Sequence, residues 1–110
     1  QGVQYAMESL AVTLSHLQSV STPSGSLLDE MGMLVTSEVS SGWDHGMKDP
    51  PVLLLGKGAG LRGNSHIVSS NGQRNYSDVL LTLAQAYGGQ MTSIGLGDAQ
   101  SSTTLPQLLV

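Results

Sequence analysis

Two short apolar runs, Met31-Gly-Met-Leu-Val-Thr36 and Pro51-Val-Leu-Leu-Leu55, constrain this chain more than any other feature. Each is bounded by polar residues and is too short for a helix of ordinary length, so residues 31–36 and 52–55 read as buried strands. Neither run alternates apolar with polar residues, and continuous apolar strands suit a sheet covered on both faces. The intervening residues 37–51 hold no helical pattern. A connection that long in a small domain is often functional. Ser65-His-Ile-Val68 has the length and apolar content of a third short strand, at residues 65–68.

Helices flank these runs. Val3, Met7, Leu10, Leu14 and Leu17 recur at steps of three and four, which predicts an amphipathic helix over residues 2–20 with that stripe inward. The same spacing would serve a coiled-coil seam, but it covers too few heptads to establish one. Ser21-Thr-Pro23-Ser-Gly25 ends the helix in a turn. A second helix is expected over residues 76–87. Asn75 is placed to cap it, and Asp78 in its first turn favours the helix dipole. Its apolar face is Val79, Leu80, Leu83, Ala84 and Tyr87, and Gly88-Gly89 stops it. Residues 90–110 are polar and Gly-rich, and read as an irregular tail along a surface.

Two or three short strands do not make a stable sheet buried on both faces, because their outer edges keep unpaired backbone groups. Two helices cover only part of such a sheet. Residues 1–110 therefore read as one segment of a larger α/β domain, or as a subunit whose edges neighbouring chains complete. Gln1 in place of an initiator Met fits a processed product or a piece of something longer.

Composition supports association with other protein. Charged residues are 11% of the chain, against about 25% in ordinary domains, so little charge protects the surface from association. The net charge of −4, with only Lys48, Lys57, Arg62 and Arg74 as cations, argues against nucleic acid. No basic cluster marks an anionic membrane surface. The apolar runs fall well short of the roughly 20 residues a membrane span requires. There is no cysteine, which removes disulfides and thiol chemistry.

Gly42-Trp43-Asp44-His45-Gly46 lies within the 37–51 connection. A carboxylate beside an imidazole in a Gly-bounded loop suits a divalent metal ion. Glu38, Asp44 and His45 would converge at the carboxyl end of the 31–36 strand, where ligands of α/β sheets usually sit. The competing expectation is a loop held by hydrogen bonds from nearby backbone N–H groups to the Asp44 carboxylate. Trp43 would then wall the loop. His16 and His66 lie in expected regular elements and are poor ligand candidates. No serine stands out enough to support a Ser-His-Asp triad. Gly58-Ala-Gly60-Leu-Arg-Gly63 matches a dinucleotide-binding spacing and follows a strand, but Asn64-Ser-His-Ile-Val68 after it is not helical. A flexible connection is the better reading of that segment.

A resemblance joins these pieces. Leu27-Leu28-Asp29-Glu30, Met33-Leu-Val-Thr-Ser37-Glu38, Asp44-His45-Gly46 and Pro51-Val-Leu-Leu-Leu-Gly56 follow one another in order. Asn75-Tyr-Ser-Asp78 with the helix after it, Ser93-Ile-Gly95 and Leu105-Pro106 complete the series. The whole resembles the C-terminal part of exported bacterial proteins from uncharacterised families related to the sulfatase and alkaline phosphatase superfamily. It covers most of residues 10–110. The resemblance implies the C-terminal section of an α/β/α sandwich, incomplete as an isolated chain, in an extracytoplasmic location. It also implies that Asp44 and His45, with Glu38 as a weaker candidate, give ligands to a divalent metal ion used in phosphate- or sulfate-ester hydrolysis. The superfamily's nucleophile and remaining ligands lie upstream and have no counterpart here. Two functions follow. The chain either contributes to a metal-dependent hydrolase completed elsewhere, or is a non-catalytic structural subunit or proteolytic fragment of an extracellular assembly or filament.

Overall fold

The computed structural model describes residues 2–46, 48–68 and 75–110. It is a mixed α/β chain: three helices and two small antiparallel sheets, with single 3-10 turns. Helix α1 spans Gly2–Ser19. Strands β1 (Ser21–Thr22) and β2 (Gly25–Ser26) form a tight hairpin around Pro23-Ser24, pairing Ser21 with Ser26 and Thr22 with Gly25. This hairpin is the turn the Pro and Gly residues encode.

Helix α2 (Leu27–Glu30) follows at once. Its Ser26 cap and Asp29 form a reciprocal pair: Ser26 Oγ accepts from Asp29 N–H, and Asp29 Oδ2 accepts from Ser26 N–H. Lys57 reaches Asp29 Oδ1 at 2.7 Å and ties α2 to the chain beyond the next hairpin.

Strands β3 (Gly32–Thr36) and β4 (Val52–Gly56) pair antiparallel, from Gly32 opposite Gly56 to Thr36 opposite Val52. The antiparallel direction has a simple cause. A parallel pair needs a crossover, usually helical, and the described residues between β3 and β4 form no helix. Thr36 Oγ1 donates to Pro51 O at 2.8 Å and closes the base of that connection. Each of the two strands has one unpaired outer edge among the described residues. Residues 65–68 are irregular and add no third strand.

Helix α3 (Tyr76–Ala86) begins as its sequence dictates. Asn75 Oδ1 accepts from Ser77 N–H at 3.0 Å, and Asp78 Oδ2 accepts from Asn75 N–H at 3.1 Å. It ends where Gly88 takes a φ of 90° and Gly89 N–H returns to Ala84 O at 2.8 Å.

The buried face of α3 differs from the expected one. Ser77, Asp78, Leu81 and Thr82 are buried, whereas Val79, Leu80, Leu83 and Ala84 are only half-buried and Tyr87 is exposed. The C-terminal tail covers this polar side and supplies partners for it. Ser77 Oγ donates to Ala99 O at 2.6 Å, and Leu105 N–H donates to Thr82 Oγ1 at 2.8 Å.

The tail is therefore structural, although it holds no element longer than the 3-10 turns Gly97–Ala99 and Pro106–Leu108. Ile94 and Ser101 bridge within it, and Leu109 bridges to Leu61. Leu61, Leu81 and Leu105 are the buried apolar residues of the described chain.

That core is small. The accessible surface is 7846 Å², whereas a compact chain of this mass exposes about 5,800 Å². The radius of gyration is 15.3 Å, against roughly 13 Å for a compact 110-residue domain. Helix α1 contributes to the excess. None of its residues is buried, Leu10, Leu14 and Leu17 are half-buried, and Val3 is 79% exposed. The expected inward stripe is covered only toward its C-terminal end, because α2 is a single turn.

Candidate functional site

The connection after β3 ends in a small, tied loop. Ser41 and Gly46 form a bridge, and Gly46 O accepts from Ser40 N–H and Ser40 Oγ, each at 2.8 Å. Gly46 N–H donates to Asp44 Oδ1 at 3.0 Å, the two-residue span of an Asx turn. His45 between them has a φ of 52°, a left-handed conformation that His, Asn and Asp tolerate better than most residues. At the tip, Trp43 is 97% exposed and walls nothing.

The structure places Glu38, Asp44 and His45 on this connection, all exposed. The Ser41 hydroxyl and the Gly46 N–H hold the Asp44 carboxyl below the usual aspartate range. This is the loop-holding arrangement that the sequence offered as the competing expectation. Among the described residues, no three or more His, Asp or Glu side chains are gathered to hold a metal ion. Asp44 already spends Oδ1 on the loop. The residues present thus do not fit a metal ion by themselves. His16, on α1, and His66, in the irregular 65–68 segment, are both exposed.

The Gly58–Gly63 segment is a 3-10 turn, Gly58–Gly60, and no helix opens from it. Several of its amides are occupied: Gly58 N–H by Met31 O at 3.0 Å, Gly60 by Lys57 O and Leu61 by Gly58 O, both at 3.2 Å. Arg62 N–H donates to Leu108 O at 2.8 Å. A pyrophosphate would need such amides free. The segment is also tied down more firmly than a flexible connection. Gly58 is buried, and a Cβ there would sit 2.6 Å from Glu30 O.

Sequence reasoning missed the groove between α3 and the tail. It has a volume of about 240 Å³ and is lined by Thr82, Gln85, Ala86, Thr104, Pro106 and Leu109. Beside it, Arg62 Nε and Nη2 donate to Leu109 O at 3.1 and 2.9 Å. No spacing rule joins residues this far apart in sequence. Only the Ser/Thr-rich character of the tail hinted that it would carry side-chain hydrogen bonds.

Comparison of the chain with protein-family models, with curated proteins and with solved structures finds no match. No described helix is long and apolar enough to cross a membrane.

Proposed function

We propose that this chain is an associating segment of an exported α/β protein of the sulfatase-like kind, and that its own part is structural. Other protein closes the surfaces it leaves open. The observation that carries this is the large excess of accessible surface over that of a compact chain. The unpaired outer edges of the β3–β4 pair and the exposed N-terminal part of the α1 stripe are two such surfaces. An antiparallel pair of this kind is compatible with the margin of a larger mixed sheet, and so with a section of an α/β/α sandwich. The ordered motifs quoted above support that parentage and an extracytoplasmic location.

Metal-assisted ester hydrolysis is a second reading, favoured by one observation. Asp44 and His45 share an exposed tip, and Asp44 remains a carboxylate at neutral pH. The other donors and the nucleophile would then come from another chain or another part of the parent.

Sedimentation and calorimetry of the purified 110-residue chain test the structural proposal. Concentration-dependent association, or a monomer without a cooperative melt, is expected. A compact monomer with one cooperative transition would contradict it.

A further inference from the structure

The exposed Trp43 and the groove on α3 lie on different parts of the chain, and each has what the other lacks. Trp43 is the chain's single tryptophan. It sits on a tip closed by the Ser40, Ser41, Asp44 and Gly46 hydrogen bonds, so little ordering is needed for it to dock. Tryptophan is among the commonest anchors of protein interfaces, because it buries about 150–250 Å² and carries one N–H that needs an acceptor.

The groove has the complementary chemistry. At about 240 Å³ it is smaller than the roughly 300–1,000 Å³ that drug-sized ligands occupy, and it suits a single large side chain. Ala86, Pro106 and Leu109 provide apolar wall. Gln85 donates its Nε2 to Met91 O at 2.8 Å, which leaves its amide oxygen as an acceptor for an indole N–H. Arg62 stands at the Leu109 side and spends two of its five N–H donors there. Asp44, next to Trp43, brings the opposite charge.

We propose that Trp43 of one copy seats in the α3–tail groove of a second copy, with Asp44 of the first facing Arg62 of the second. This rests on the reading of the chain as an associating segment and names one of its partners as the chain itself. The contact is heterologous: anchor and groove are different surfaces, so after pairing the first copy keeps a free groove and the second a free anchor. Such contacts propagate into closed rings or open filaments. The Asp44–Arg62 approach also offsets, at the contact, the repulsion between copies that each carry a net charge of −4.

Trp43 reports its own burial, because no other tryptophan contributes to the emission. The test follows the 110-residue chain by sedimentation and by Trp emission with acrylamide quenching over a wide concentration range. As mass rises, emission is expected to move to shorter wavelength and quenching to fall. Trp43→Ala changes a fully exposed side chain and is expected to abolish the association without unfolding the chain. Ala86→Phe fills the groove. Mixed with Trp43→Ala, it is expected to give a one-to-one species and nothing larger, since one partner supplies the anchor and the other the groove. Should Ala86→Phe lose helical signal, the wild-type emission and the Trp43→Ala chain decide alone. Association with Trp43 still fully quenched, or undiminished association of Trp43→Ala, would overturn this inference while leaving the associating segment intact. A chain that stays a compact, cooperatively melting monomer at all concentrations would overturn both.

Discussion

The Ser101 hydroxyl donates to Asp78 Oδ1 at 2.5 Å, with both side chains buried. The other carboxylate oxygen accepts from Asn75 N–H at the start of α3. One side chain thus completes the capping box of a helix and fastens the tail to it. The Ser101 hydroxyl also accepts from Thr103 N–H at 2.9 Å, and Thr82 carries the same face one turn further along.

Asp78→Ala should be the most damaging polar substitution in the chain. It removes the return bond of the capping box, from Asn75 N–H to Asp78, and leaves the buried Ser101 hydroxyl without its acceptor, a loss of about 2–4 kcal/mol. Ser101→Ala should cost about 1–3 kcal/mol, because it strips one partner from a buried carboxylate. Hydrogen exchange of the α3 amides in both variants checks this. Unchanged protection would show that the tail is not what holds α3.

Gly58→Ala and Gly63→Ala should separate sharply. The first places a Cβ against the Glu30 and Met31 backbone, whereas the second meets nothing within 4 Å. Overpacking at a buried backbone contact costs roughly 1–3 kcal/mol or more, and the exposed position should stay within about 0.5 kcal/mol. Denaturant midpoints of the two variants measure the difference.

Asp44 should give its loop a pH dependence confined to acid. Its folded pKa lies below the ordinary aspartate value. The hydrogen-bond stabilisation is therefore complete above that ordinary value and is lost as pH falls through the folded pKa. The Gly46 amide resonance should titrate with an acidic midpoint in the wild type. In Asp44→Asn it should not titrate. A Gly46 titration that persists in that variant would remove Asp44 as the cause.

Helix α1 offers a contrast along one stripe. Val3→Asp should leave the melting of the isolated chain nearly unchanged, because Val3 is already in solvent. Leu14→Asp should cost about 1–3 kcal/mol, because Leu14 is half-covered by neighbouring structure. Equal effects of the two, by thermal melting, would mean that the stripe is covered along its whole length.

How much the sequence disclosed depends on how local each cause is. The α3 cap was legible because Asn75 and Asp78 are three residues apart, and the Gly88-Gly89 stop because αL geometry selects glycine. The runs ending at Thr36 and Leu55 were legible as strands from apolar content, and their antiparallel pairing follows from the helix-free connection. The bond between Asp44 and Gly46 was within reach too, as a two-residue turn. The tail was not legible. Ser101 and Asp78, or Leu105 and Thr82, are 23 residues apart, and no periodicity links a polar helix face to an irregular strap. The stripe of α1 was legible as a stripe, but how far along it the rest of the chain reaches is not written in α1. Glu38, Asp44 and His45 were adjacent in type and order. Adjacency alone did not say whether the carboxylate serves a ligand or its own loop.

Hydrogen exchange on the dilute isolated chain tests the incompleteness of the fold most directly. The α3 amides that the tail covers should be the best protected, while the first turns of α1 and the outer edges of β3 and β4 exchange nearly freely. Protection at those open surfaces should rise when other protein, including further copies of the chain, is present. Uniform protection of α1, β3, β4 and α3 in a dilute monomer, all reaching the same global stability, would contradict the account.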